Sequence, residues 1–191
     1  LEGVVDIWVP SWEMANVDDI KRRQKAGDEV WSYSALTHPG FTNWLTDADL
    51  INYRIPAWFS YSLDLKGILY WQTTCWALPD KNRKLLNRDP WTESRTYYAG
   101  GKYWNGEGSL LYPGKDAGID GPVQSMRLKV FRDSVEDYDY FGILSEQIGF
   151  NEPRKIASKT AGNFHSFSND LKDYLETRKR LAQIIQQALE K

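Results

Sequence analysis

Asn105 and Glu107 fall in NGEGSLLYPG (105–114), where an amide and a carboxyl alternate with glycines ahead of an apolar run closed by Pro-Gly. Three chemistries fit such a stretch: a tight turn, a phosphate-cradling loop, or a pocket rim that presents an amide and a carboxyl to a polar ligand. The phosphate loop fails on spacing. There is no G-x-G-x-x-G, and the glycines precede a strand pattern where that motif follows one. For Asn105 the structural alternative is a left-handed turn residue. Cys75, His38 and His165 cannot build a usual structural zinc site, and a lone cysteine excludes an internal disulfide. Neither a metal nor a cofactor is expected.

Aromatic residues supply the second set of candidates. They make up 14% of the chain, with nine Trp and eleven Tyr. Flat rings with one polar handle suit sugar faces and protein interfaces alike. Trp8, Tyr33, Trp71, Trp76 and Tyr112 fall at or near the ends of strand patterns, where pocket walls gather, and with Asn105 and Glu107 they form the candidate ligand-binding set. Arg127, Arg132, Glu136 and Asp137 look like chemistry but sit at helical spacing. They read as a structural network tying a helix to neighbouring strand ends, and the cations of 172–180 as a solvated face.

Positioning these groups falls to alternating elements. Strand patterns occur at 4–10, 29–36, 67–73 and 109–114. A helix over 16–27 has Asn16 as its cap and Gly27 as its stop. A second helix is expected around 53–65 with Pro56 in its first turn, and a third over 121–149 with Pro122 in its first turn and Gly149 at its end. The stripe of this third helix is Leu128, Phe131, Val135, Tyr138, Phe141, Leu144 and Ile148. The last helix spans 169–190, with Leu171, Leu175, Ala182, Ile185 and Leu189 on one side. Residues 74–104 read as a loop-rich insertion and 150–168 as a polar loop.

Strand-then-helix, four times over, argues for an α/β fold with parallel strands and right-handed crossovers. Four units are half of a (β/α)8 barrel, with 1–191 a single domain. The net charge of −2 leaves no electrostatic footprint for nucleic acid, and no apolar run is long enough for a membrane span. Leu1 is not methionine and no signal-peptide pattern precedes the first strand, so the sequence reads as a fragment, a processed chain or one domain of a longer protein. The compartment is left open.

Three ordered blocks carry a family resemblance: NYRIPAWFSYSLDLKGILYW (52–71), NGEGSLLYPG (105–114) and RLKVFRDSVEDYDYFGIL (127–144). Together they resemble the C-terminal half of the barrel of glycoside hydrolase family 123 and the related domain of unknown function 4091. Arg54, Trp58 and Gly67–Trp71 match the first motif. Asn105, Gly106, Gly108, Leu110, Tyr112, Pro113 and Gly114 match the second, and Arg127, Arg132, Asp133, Glu136, Asp137, Tyr138 and Tyr140 the third. The resemblance implies a retaining N-acetyl-β-hexosaminidase in which the substrate's acetamido group is the nucleophile. An Asp–Glu pair then orients that group and serves as acid and base. In that family the pair follows a strand, whereas here Asp28-Glu29 precedes one and Glu136-Asp137 lies inside a helix pattern in the reverse order. The resemblance therefore implies a chain that supplies aromatic and polar walls of a sugar pocket and is inactive alone. Its expected partners are a carbohydrate containing N-acetylhexosamine and either the missing barrel half or a second copy, because a half-barrel leaves strand edges unpaired. A non-catalytic carbohydrate-binding domain and a scaffold fragment are the alternatives.

Overall fold

The computed structural model describes residues 1–38, 40–76 and 88–190. Strand β1 (Ile7–Trp8) leads to helix α1 (Val17–Lys25). Asn16 caps α1, its Oδ1 accepting from the N–H groups of Asp18 and Asp19 at 2.8 and 3.1 Å, and Gly27 follows at φ +93°. The chain returns through β2 (Glu29–Val30) and β3 (Ser32–Ser34), one extended run interrupted at Trp31. The N–H groups of Glu29, Trp31 and Tyr33 donate to the carbonyls of Asp6, Trp8 and Pro10, while that of Ser32 donates to Gly67. Alternate backbone groups point to opposite edges of a strand, so β1 lies on one side of this run. On the other side lies β4 (Ile68–Tyr70), reached through helix α2 (Ile55–Ser62). Both pairings are parallel. The first three strand patterns thus behave as expected.

The fourth does not. Beyond the described gap the chain forms a hairpin of β5 (Arg95–Ala99) and β6 (Lys102–Asn105), turning at Gly100 and Gly101 with φ of +59° and +80°. Two successive positive φ values suit a two-residue hairpin turn, so part of the expected loop-rich insertion is regular structure. Residues 77–87 of that insertion lie outside the described residues. The chain then meets the end of the third strand antiparallel, through a bridge from Thr74 to Ser109. Next, β7 (Leu111–Pro113) pairs antiparallel with β8 (Pro122–Gln124). The expected fourth parallel strand is therefore a reversed one, because the chain re-enters by hairpins and not by a helical crossover. Pro122 sits in β8, and α3 (Met126–Ile148) begins four residues later, capped by Ser125, whose Oγ accepts from Leu128 N–H at 3.1 Å.

Helix α2 is buried on every side, which marks a central helix. It packs against α3, against α4 (Asn151–Thr160), and against β9 (Ala161–Asn163), the first strand of a small hairpin completed by β10 (Ser166–Phe167). The stretch 150–168 is thus a helix and a hairpin. Its apolar signal reduces to Pro153, Ile156 and Ala157 among charged neighbours, too sparse to read as a periodic stripe. Helix α5 (Leu171–Leu189) closes the layer, with Asp170 as its cap. The buried residues of α5 are Tyr174 and Leu181, while Leu171, Leu175 and Leu189 are exposed. On α3, Val135 and Ile148 are exposed, and Ser134, Asp137, Phe141 and Leu144 face inward. Helix α5 is thus rotated from its expected stripe, whereas on α3 Leu128, Phe131, Tyr138, Phe141 and Leu144 of the stripe do pack in or on the core and share that side with a polar group.

That group is Asp137, 0% exposed. Its Oδ2 accepts from Arg54 Nε at 2.7 Å and from Trp58 Nε1 at 2.9 Å. Its Oδ1 accepts from Arg54 Nη2 at 3.0 Å and pairs with Arg178 Nη1 at 3.0 Å. The expected network is real: Arg127 ties α3 to the chain at the ends of β6 and β7, Asp137 joins α3 to α2 and α5, and Arg178 leaves the expected solvated face to take part. Around it, Trp12, Trp44, Trp58, Phe59, Phe141 and Tyr174 pack mainly edge to face. A good part of the aromatic surplus is therefore core.

Candidate functional site: a buried carboxyl between aromatic rings

The turn Asn105–Gly108 joins the hairpin to the bridge at Ser109. Gly106 and Gly108 carry φ of +72° and +70°, so the glycines and not Asn105 adopt the left-handed conformation. Space demands them as well. A Cβ on Gly108 would fall 2.5 Å from Trp71 Cζ2, and one on Gly106 would fall 2.7 Å from Arg127 Nη1. The alternation of glycine with Asn105 and Glu107 thus lets the backbone pass under an indole on one side and a guanidinium on the other.

Arg127 secures the turn. It is buried, and its Nη1 donates to the carbonyls of Gly106 at 3.1 Å and Trp44 at 3.3 Å. Its Nη2 donates to the Ser109 carbonyl and to the Tyr112 hydroxyl at 3.2 Å. Thr96 Oγ1 donates to the Glu107 carbonyl at 2.7 Å, and Cys75 N–H to the Gly108 carbonyl at 2.8 Å. The Cys75 thiol is itself buried, pointing at the Thr96 carbonyl 3.7 Å away, and burial beside Glu107 raises it to about 12.

The side chain so held is Glu107, 2% exposed. Its Oε1 accepts from Trp71 Nε1 at 2.7 Å. The Tyr70 hydroxyl accepts the Gly108 N–H at 2.7 Å, which places Tyr70 beside the carboxyl. Burial pushes the Glu107 carboxyl above the ordinary carboxylate range. Hydrogen bonding from the Trp71 indole, the Leu36 N–H and the Tyr70 hydroxyl, with the Arg127 charge, pulls the other way. Leu36 has φ +50°, a conformation that bulky residues seldom adopt and one that aims its N–H inward. Tyr33 is half-buried nearby, and desolvation plus the Glu107 charge hold its phenol above the usual value. Tyr33, Leu36, Tyr70 and Trp71 all lie at or just past the carboxyl ends of β3 and β4. In α/β folds built on parallel strands, ligands bind at this end.

The structure brings Tyr33, Trp71 and Glu107 together. The other candidates lie apart from them. Trp8 Nε1 donates to Asp28 Oδ2 at 3.0 Å, with Arg23 stacked 5.4 Å from its ring centroid. Trp76 Nε1 donates to the Leu111 carbonyl at 2.8 Å. Tyr112 packs on Trp91 and lines a cleft of about 520 Å³ with the first residues of α3. Asn105 Nδ2 donates to Asp47 Oδ2 at 2.7 Å, tying the turn to the 46–47 loop. Sequence reasoning missed Tyr70, Leu36, Cys75 and Tyr97; the Gly-Gly turn after Tyr97–Tyr98 was the signal for the last. No cluster of three His, Cys, Asp or Glu side chains suited to a metal occurs among the described residues, and no described helix is long and apolar enough to cross a membrane.

The carboxyl ends of parallel strands are where α/β folds bind ligands, and here that end carries a buried carboxyl flanked by aromatic rings. The family model for the glycoside hydrolase 123 catalytic domain matches residues 2–144, and the chain belongs to that family. No curated protein matches it. Among solved structures it is similar to a family 123 glycoside hydrolase from Clostridium perfringens, described for its hydrolysis of glycolipid glycans. The TM-score is 0.65 at 17% identity, over 96% of this chain and 32% of that one. The chain thus spans about a third of the length of the structure it resembles.

Proposed function

We propose that this chain forms a wall of the sugar pocket of a retaining N-acetyl-β-hexosaminidase with a substrate-assisted mechanism. The observation that carries the reading is the Trp71–Glu107 pair, an indole fixed by a buried carboxyl at the strand ends where such pockets form. The Trp71 ring offers its face to the apolar face of a pyranose, and the Tyr33 hydroxyl is placed to meet a sugar hydroxyl. In such a reaction the acetamido oxygen of the substrate attacks its own anomeric carbon. An acid protonates the departing glycosidic oxygen, and water then opens the cyclic intermediate with the conjugate base accepting its proton.

The acid–base pair belongs to residues outside 1–191 in this reading. Asp28 is engaged by Trp8 and Arg23, and Asp137 by Arg54, Trp58 and Arg178, so neither adjacent pair in the chain offers a free acid and base. The three parallel strands are read as part of a (β/α)8 barrel, and residues 1–191 as a single domain within it. The test is hydrolysis of a chromogenic N-acetyl-β-hexosaminide by the chain alone and joined to its natural flanking sequence. The expected result is no turnover by the chain alone and turnover that is lost on Trp71→Ala in the longer protein. Turnover by the isolated chain, or a fully active Trp71→Ala variant, overturns the reading.

A further inference from the structure

The β5–β6 hairpin holds a feature that the sugar pocket has not yet used. Its register breaks between Arg95, which faces Asn105, and Tyr97, which faces Trp104. Thr96 is the extra residue of a β-bulge, a device that re-aims side chains and recurs beside active sites. Thr96 is buried against the Glu107 carbonyl, and Tyr97 lies on Trp71 with ring centroids 5.2 Å apart at 64°. The next residue, Tyr98, packs instead on Tyr103 across the hairpin, at 5.0 Å. The bulge thus sends two successive side chains, Thr96 and Tyr97, toward the Glu107 turn. Two further bonds fix the hairpin there: Gly106 N–H to the Ser94 carbonyl at 2.7 Å, and Thr96 Oγ1 to the Trp104 carbonyl at 3.2 Å.

Tyr33, Trp71 and Tyr97 are all half-buried while the carboxyl between them is enclosed. Rings recruited only for packing, such as Trp58 and Phe141, are fully covered. Half-covered rings with converging polar ends line a recess open to a ligand.

We propose that the β5–β6 hairpin is a side wall of this recess and that Tyr97 is a specificity-determining residue whose ring, set against Trp71, limits the width available to a sugar. The inference rests on the sugar-pocket reading above and extends it to the hairpin. Removing the Tyr97 ring widens the gap, which weakens binding and blurs discrimination between sugars that differ in the direction of one hydroxyl.

The experiment is a ligand-observed NMR titration of the full chain with the methyl β-glycosides of N-acetylgalactosamine and N-acetylglucosamine, comparing four variants. Tyr97→Ala is expected to weaken the tighter ligand about tenfold and to shrink the ratio of the two affinities. Tyr97→Phe, which keeps the ring, stays within about twofold of the unsubstituted chain. Tyr98→Ala, on the other face of the same hairpin, leaves both affinities unchanged and shows that hairpin stability is not the cause. Trp71→Ala abolishes binding. If Trp71→Ala abolishes binding while Tyr97→Ala binds like the unsubstituted chain, or Tyr98→Ala falls equally, the hairpin wall is overturned and the recess stands. If Trp71→Ala binds normally, or the unsubstituted chain binds neither glycoside, the recess is overturned and the wall with it.

Discussion

At the scale of single residues, the site depends on a carboxyl that the fold keeps dry. A carboxyl that binds its proton more tightly in the native state than in the unfolded chain retains it where the unfolded chain has already lost it. Unfolding then releases a proton, and stability falls as pH rises across that interval. Glu107 is such a group, raised by burial. Its contribution is fully present below the ordinary carboxylate range and is lost as pH climbs through the raised native value. Glu107→Gln keeps an acceptor for the Trp71 indole but removes the titration. Urea midpoints followed upward from the ordinary carboxylate range should therefore fall less steeply in the variant. An unchanged slope would mean that the carboxyl is not titrating in the fold. Gly108→Ala tests the close approach under the indole. With φ +70° and a Cβ 2.5 Å from the Trp71 ring, it should cost about 1–3 kcal/mol and shift the tryptophan emission maximum. Trp71 and Glu107 were both legible as candidates from ring chemistry and from a carboxyl among glycines. Their pairing was not legible, because the two are joined only when the chain folds back across 36 residues.

At the scale of elements, the buried polar cluster of α2, α3 and α5 fixes how those helices are turned. Asp137 serves two guanidinium groups and an indole, so Asp137→Ala strands Arg54 as an unpaired buried cation. The expected loss is about 3–5 kcal/mol in denaturant unfolding. Arg132→Ala, whose ion pairs with Asp133 and Glu136 lie on the surface, should change stability by less than about 0.5 kcal/mol. Caps such as Asn16, and the stop at Gly149, were readable because each is a local event within one turn. The rotation of α5 was not, since Arg178 turns inward to the buried Asp137 and the side that carries Tyr174 and Leu181 faces the core. Helix α4 escaped notice for the opposite reason: it is short, and most of it is solvent-facing. The direction of 109–114 was also hidden. Strand propensity carries no sense of parallel or antiparallel, and the Gly100-Gly101 turn that reverses the chain lies within a stretch whose composition reads as loop.

At the scale of the whole molecule, no strand among the described residues pairs with the outer side of β1. The carbonyls of Asp6, Trp8 and Pro10 face β2, so the alternate groups of Ile7 and Val9 point away from it. Ile7 and Val9 are exposed there, with Val4 and Met14 nearby. An edge of this kind, apolar apart from Asp6, recruits another strand. Light scattering of the chain alone should show self-association that diminishes in Ile7→Lys, which sets a charge on the edge. A clean monomer before substitution would argue that the edge is already blunted.

Cys75 gives the molecule a clock. Its thiol is buried against the Thr96 carbonyl with its proton held up to about 12, and its N–H holds the Gly108 carbonyl, so an alkylating reagent must wait for the 105–109 turn to lift. At low reagent concentration the labelling rate divided by that of a free thiol is the fraction of time this turn stands open. A bound glycan that slows this clock without altering global unfolding would locate its binding energy at that one turn.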